Sequence, residues 1–131
     1  MLTSYWAHTN VHEVPYLKPL QENAQVCRTG PYPPLCTGSL EIRLFEVPGW
    51  DSTGNGKDWP PYSRVNHAKY IVTDRRVNVG TSNMEWSYFY QTAGASLNTD
   101  HPLLRQGVQS VFERDWNSQY VYYLNGTAVN A

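Results

Sequence analysis

Two short β-branched runs, Tyr70-Ile71-Val72-Thr73 and Val77-Asn78-Val79, flank the polar triplet Asp74-Arg75-Arg76. This pattern predicts a tight β-hairpin and leaves that region few alternatives, because β-branched and aromatic residues favour the pleated surface while charged triplets favour the turn. The hairpin frames the spacing H-x-K-x-x-x-x-D, formed by His67, Lys69 and Asp74, and runs on into Gly80-Thr81-Ser82-Asn83. Side chains two apart on a strand share a face, so His67 and Lys69 are expected to project together. The return strand brings Ser82 and Asn83 back toward them.

These residue types suit phosphodiester chemistry. A neutral imidazole attacks phosphorus or protonates a leaving oxygen, and an ammonium neutralises the non-bridging oxygens. A carboxylate such as Asp74 orients or polarises an imidazole, and the Ser82 hydroxyl and Asn83 amide donate hydrogen bonds without adding formal charge. The catalytic candidates are therefore His67, Lys69 and Asp74, and the phosphate-binding candidates Lys69, Ser82 and Asn83.

With the flanking segments Pro61-Tyr62-Ser63-Arg64-Val65-Asn66-His67, Thr92-Ala93-Gly94 and Phe112-Glu113-Arg114-Asp115-Trp116, the chain resembles the phospholipase D superfamily. The branch it is most similar to is the lumenal, membrane-anchored phospholipase-D-like proteins of animal lysosomes, over about Ser4 to Tyr120. That resemblance implies an α/β fold, a layered sheet flanked by helices, that forms one half of a pseudo-dimeric molecule. It implies no cofactor and no metal, a phosphohistidine intermediate, and exonucleolytic cleavage of single-stranded DNA or RNA from the five-prime end. Phospholipid hydrolysis or transphosphatidylation is the alternative, and a noncatalytic phosphate-binding fragment is a second one.

The family's enzymes use two such motifs, and this chain carries one, since His8, His12 and His101 lack a lysine two residues later. The expected partner is a second motif-bearing half-domain, either an upstream half or a second copy of the chain. Residues 1–131 then make one half-domain resembling the C-terminal half of a fused enzyme. The opening Leu2-Thr3-Ser4-Tyr5-Trp6 reads as a core strand with no lead-in, which fits a truncated chain. Motif order implies that His67 is the general acid. Three departures stand out: five residues between Asp74 and Gly80, Met84 where the branch has tryptophan, and Gln91 where relatives carry a glutamate supporting a histidine.

A chain of 131 residues with 40% hydrophobic and 14% aromatic content can form a modest core. Its formal net charge of -1 excludes a polyanion binder working through bulk electrostatics, so any phosphate site must be local. Arg64, Lys69, Arg75 and Arg76 are the dense basic cluster, with Arg75 and Arg76 read as a solvated hairpin tip. No run approaches eighteen apolar residues, and the start has neither a basic nor an apolar leader region. Any membrane anchor is expected outside this chain.

Glu13 to Val26 is expected to be helical, opening at Pro15, with Tyr16, Leu17, Leu20 and Ala24 on one face and a kink at Pro19. Cys27 to Gly38 reads as a loop. In an oxidising lumen a Cys27–Cys36 disulfide closes it, and in the cytosol both are free thiols. Leu40 to Val47 and Tyr88 to Ser96 read as strands, and Pro48 to Pro61 as a loop flanked by Trp50 and Trp59, read as packing rather than stacking on bases. Leu103, Leu104, Val108, Val111 and Phe112 form a helical stripe expected in the core, entered through Thr99, Asp100 and Pro102. Asn125-Gly126-Thr127 is a glycosylation sequon, which with the resemblance points to the lysosome or the secretory lumen.

Overall fold

A computed structural model describes residues 1–6, 12–29, 38–50 and 64–129, with the side chains of 27–29 outside the description. The chain divides into two compact units, Met1–Asn66 with Asp115–Ala131, and His67–Arg114. Both are mixed α/β, as the resemblance implies, although among the described residues the β structure forms two three-stranded sheets instead of one.

In the first unit, β1 (Leu2–Ser4) pairs in parallel with β2 (Arg43–Phe45), and β2 pairs antiparallel with β6 (Val121–Tyr123). A parallel pair needs a crossover, which α1 (Val14–Thr29) supplies. Val14, Ile42, Leu44 and Leu124 form the core, with Tyr5, Leu17, Leu40 and Tyr122 packed against it. The inner face of α1 differs from the expected one: Val14, Leu17, Gln21 and Ala24 turn inward, while Tyr16 and Leu20 are exposed. Gln21 decides the register, since its Oε1 accepts a hydrogen bond from the Ile42 amide at 2.7 Å and satisfies a donor beside the fully buried Leu44. The helix also continues through Cys27 to Thr29, past the expected start of the loop. Cys36 lies outside the described residues, and with it the Cys27–Cys36 pairing.

The strand expected over Leu40 to Val47 contracts to Arg43–Phe45. Within the first unit, the Arg43 guanidinium stacks 4.0 Å from the Trp116 ring centroid and donates to the Trp116 carbonyl. Trp50 is buried edge-on to Tyr5, so it packs, as read; Trp59 lies outside the described residues.

The second unit is a meander of β3 (Tyr70–Val72), β4 (Val77–Gly80) and β5 (Ser96–Thr99), all antiparallel in that order. Of the residues Tyr88 to Ser96, expected as a strand, only Ser96 is in one, as the first residue of β5. The five-residue helix α2 (Trp86–Tyr90) occupies their start, because Trp86, Phe89 and Tyr90 at helical spacing outweigh the β preference of each. The last helix, α3 (Pro102–Trp116), begins where Thr99, Asp100 and Pro102 predict, with Thr99 Oγ1 accepting from the His101 amide. Its apolar stripe does not form a core. Leu103 is 73% exposed, Leu104 and Val111 are also exposed, and Val77 is the one buried residue of this unit among those described. A three-stranded sheet and one long helix have too few layers to enclose both.

Candidate phosphate-binding site

The strand registers sort the second sheet into two faces. Tyr70, Val72, Val77, Val79, Leu97 and Thr99 share one, whereas Ile71 pairs with Asn78, Asn78 with Asn98 and Gly80 with Ser96 on the other. Lys69, two residues before Ile71, joins the polar face and lines a cleft of about 360 Å³ there, together with Asn78, Gly80, Thr81, Ser82 and Ser96. Met84, Phe89, Gly94 and Ala95 complete the wall with Ile71. Among the described residues Lys69 is the one formally charged side chain in this lining. Partial burial lowers the pKa of its ammonium below the usual 10.5. A cation held in a cleft of hydroxyls and amides selects for an anion.

The floor of the cleft is held by backbone and hydroxyl bonds. The Gly80 amide donates to the Lys69 carbonyl at 2.9 Å, and the Thr81 amide to the Ala95 carbonyl at 3.1 Å. Thr81 Oγ1 accepts from the Ala95 amide at 3.0 Å and donates to the Ala95 carbonyl at 3.3 Å. Gly94 permits this approach: a Cβ there would lie 2.6 Å from Thr81 Oγ1 and 2.7 Å from Ser82 Oγ. Thr81, Asn78, Phe89 and Ala95 were not predicted from the sequence. Strand alternation through β4 does place Asn78, but Ala95 reaches the site through a loop that no periodicity reveals.

The predicted site residues separate into two groups. Lys69 and Ser82 meet in the cleft, and Asn83 follows, half-buried, directly after Ser82. His67 is exposed and does not line the cleft; its carbonyl accepts a hydrogen bond from Lys69 Nζ at 2.9 Å, which ties the ammonium to the histidine backbone. The alternation expected to align His67 with Lys69 stops short, since β3 begins at Tyr70 and β4 ends opposite Lys69. The strict alternation of a paired strand therefore holds from Tyr70 onward and does not extend to His67.

Asp74 lies at the other end of the hairpin, where the three residues of β3 alone span about 10 Å. There it sits 3.8 Å from Arg75 Nε with both side chains almost fully exposed, so a direct role in orienting His67 is not in this geometry. Thr73 Oγ1 organises that turn by accepting from the Arg75 and Arg76 amides, and the two arginines are exposed, as read. Gln91 is exposed at the end of α2, where its backbone amide donates to the Ser87 carbonyl. Among the described residues its side chain makes no hydrogen bond to His67. Arg64, in the first unit, holds a left-handed backbone with φ of 60° and donates from Nη1 to the Pro48 carbonyl at 3.0 Å.

Asn125 is exposed, and its Oδ1 accepts both the amide and the hydroxyl of Thr127, at 3.0 and 2.8 Å. No helix among the described residues is long and apolar enough to cross a membrane.

No family model matches the chain. Curated proteins do. A probable phospholipase D of Caenorhabditis elegans is 40% identical over 120 residues, 92% of this chain and 20% of that protein. The virion nicking-joining enzyme of Vaccinia virus (strain Western Reserve) is 47% identical over 93 residues, 69% of this chain and 20% of that protein. A 5'-3' exonuclease of Rattus norvegicus is 42% identical over 92 residues, 68% of this chain and 18% of that protein. The chain thus spans about a fifth of the length of the curated relatives it matches.

Proposed function

We propose, for a chain that belongs to the phospholipase D superfamily, that residues 1–131 supply one motif-bearing half of a phosphodiesterase working through a phosphohistidine intermediate. The observation that carries this reading is the cleft in which Lys69 is the sole formal charge, lined by the Thr81 and Ser82 hydroxyls and tied to His67 through its carbonyl. A phosphodiester anion seated there would have its non-bridging oxygens neutralised by Lys69 and bonded by Ser82 and Asn83.

The reaction needs two imidazoles. One attacks phosphorus and forms a P–N bond as the P–O bond to the leaving group breaks; the other gives its proton to the departing oxygen. It then takes a proton from water, whose oxygen displaces the histidine from phosphorus. His67 takes the proton-donating role, and the attacking imidazole comes from a second motif-bearing half, either upstream sequence or a second copy. The substrate is single-stranded DNA or RNA cleaved from its five-prime end, in keeping with the relatives named as an exonuclease and a nicking-joining enzyme. A phospholipid substrate is the second reading, favoured by the relatives named phospholipase D. A noncatalytic phosphate-binding role is a third, favoured by the single motif and by Gln91. The compartment we infer is the lysosome or the secretory lumen, with Asn125 glycosylated.

Hydrolysis of a chromogenic phosphodiester in the presence of a chelator, measured for the chain and for His67→Ala with solution mass on the same samples, tests the reading. Turnover in a species of twice the chain mass, abolished by His67→Ala, is the expected result. Turnover that survives His67→Ala would refute it. An inactive monomer that binds phosphate would leave the noncatalytic reading in its place.

A further inference from the structure

The helix α2 is the least explained element of the second unit: it has no buried residue, yet carries three large aromatic rings. Trp86, Phe89 and Tyr90 fall at positions i, i+3 and i+4, which lie side by side on one helix face. They are 78, 71 and 74% exposed. Phe89 forms part of the cleft wall that holds Lys69 and Ser82, so the aromatic face begins inside the phosphate cleft and runs outward from it. Trp86 and Tyr90 hold each other nearly parallel, with centroids 6.0 Å apart and planes 10° apart, leaving flat outer faces to solvent. Contiguous exposed aromatic surface beside a cleft is the kind of feature that interaction sites present.

Resting on the phosphodiesterase reading above, we propose that Trp86, Phe89 and Tyr90 form a ledge on which a nucleobase stacks when the adjoining phosphate sits against Lys69. The occupant is therefore a single-stranded nucleic acid. A base is tethered to its phosphate through one sugar, which matches an aromatic strip contiguous with an anion cleft. Planar rings fixed in parallel offer little conformational entropy to lose and bind any base through its π-face. A membrane surface fits less well. The segment Glu85-Trp86-Ser87-Tyr88-Phe89-Tyr90 has no basic residue and begins with a carboxylate, whereas anionic lipid surfaces attract clusters of lysine and arginine. A protein docked along the strip would cover the cleft mouth at Phe89.

The test compares the affinity of the full chain for phosphorothioate-linked oligothymidylate with that for an abasic strand of equal phosphate count, by fluorescence anisotropy. Wild type should prefer the base-bearing strand by about tenfold, the scale of one stacked base. Trp86→Ala with Tyr90→Ala should bind both strands alike, while Trp86→Phe retains the preference, and all variants should keep wild-type affinity for inorganic phosphate. Equal binding of the two strands by wild type, with phosphate still bound, would overturn the ledge and leave the phosphodiesterase reading standing. Failure to bind either strand or phosphate would overturn both. Binding of phosphatidylglycerol vesicles in preference to oligothymidylate, or self-association lost in the double variant, would assign the face to lipid or to another copy and overturn the proposal.

Discussion

Replacing Gly94 by alanine probes the packing that holds the cleft together. Gly94 is not in the left-handed region, so in the folded state the effect is steric and not backbone strain. The new Cβ would sit 2.6 Å from Thr81 Oγ1 and 2.7 Å from Ser82 Oγ, about 0.8 Å inside ordinary contact. The Ser82 hydroxyl can rotate away. Thr81 cannot do so freely, because it is β-branched and its hydroxyl bonds both the amide and the carbonyl of Ala95. Overpacking costs about 1–3 kcal/mol and a lost hydrogen bond about 1 kcal/mol, offset by about 0.5 kcal/mol from the stiffer unfolded chain. A net loss of about 2.5 kcal/mol follows. In urea, with a slope of about 1 kcal/mol/M for a unit this small, the midpoint should fall by about 2.5 M. In a Thr81→Ala background the same change should cost far less, because the Thr81 Cβ would be 3.9 Å from the new methyl group, an ordinary contact. Equal cost of Gly94→Ala in both backgrounds, or a midpoint unmoved in the wild-type background, would refute the reasoning.

Lys69→Met should weaken binding of inorganic phosphate by about 10- to 100-fold, the worth of a charge-assisted hydrogen bond, as read by calorimetry, without moving the thermal midpoint. Phosphate affinity should decline as pH rises through the lowered Lys69 pKa, below 10.5, and Lys69→Arg should flatten that decline. The same lowering means the unfolded chain holds this proton more tightly. Its contribution to stability therefore rises with pH between the folded pKa and 10.5, and Lys69→Met should abolish that slope in urea titrations. Asp74→Asn should leave phosphate binding unchanged, since Asp74 faces solvent beside Arg75; a loss comparable to that of Lys69→Met would show that the turn belongs to the site.

The elements most legible in the sequence were those set by local chemistry. The hairpin over Tyr70–Gly80, the α3 start at Pro102 and the arginine tip each follow from propensity, capping and turn residues that act over a few positions. Elements decided by distant partners were less so. The inner face of α1 follows from the bond between Gln21 and the Ile42 amide, which apolar periodicity does not encode. Likewise, the α3 stripe reads as core because periodicity reports amphipathicity and not whether a covering layer is present; Leu103 and Leu104 stay exposed. That Lys69 and Ser82 come to line one cleft was legible from the motif and the return of the hairpin. The separation of Asp74 from His67 was not, because linear spacing counts residues while an extended strand turns each of them into about 3.3 Å. Gln91 was singled out for its sequence position, yet the helical turn before it leaves its side chain exposed.

The central claim is that phosphate binds on the polar face of the second sheet and not at the basic hairpin tip. Titration of dimethyl phosphate into isotope-labelled protein, followed residue by residue by NMR, tests this most directly. The account predicts shifts at the Lys69 side chain, the amides of residues 80–82 and 94–96, and the His67 imidazole, with residues 74–76 silent. Shifts confined to Arg75 and Arg76, with Lys69 and Ser82 unmoved, would contradict it.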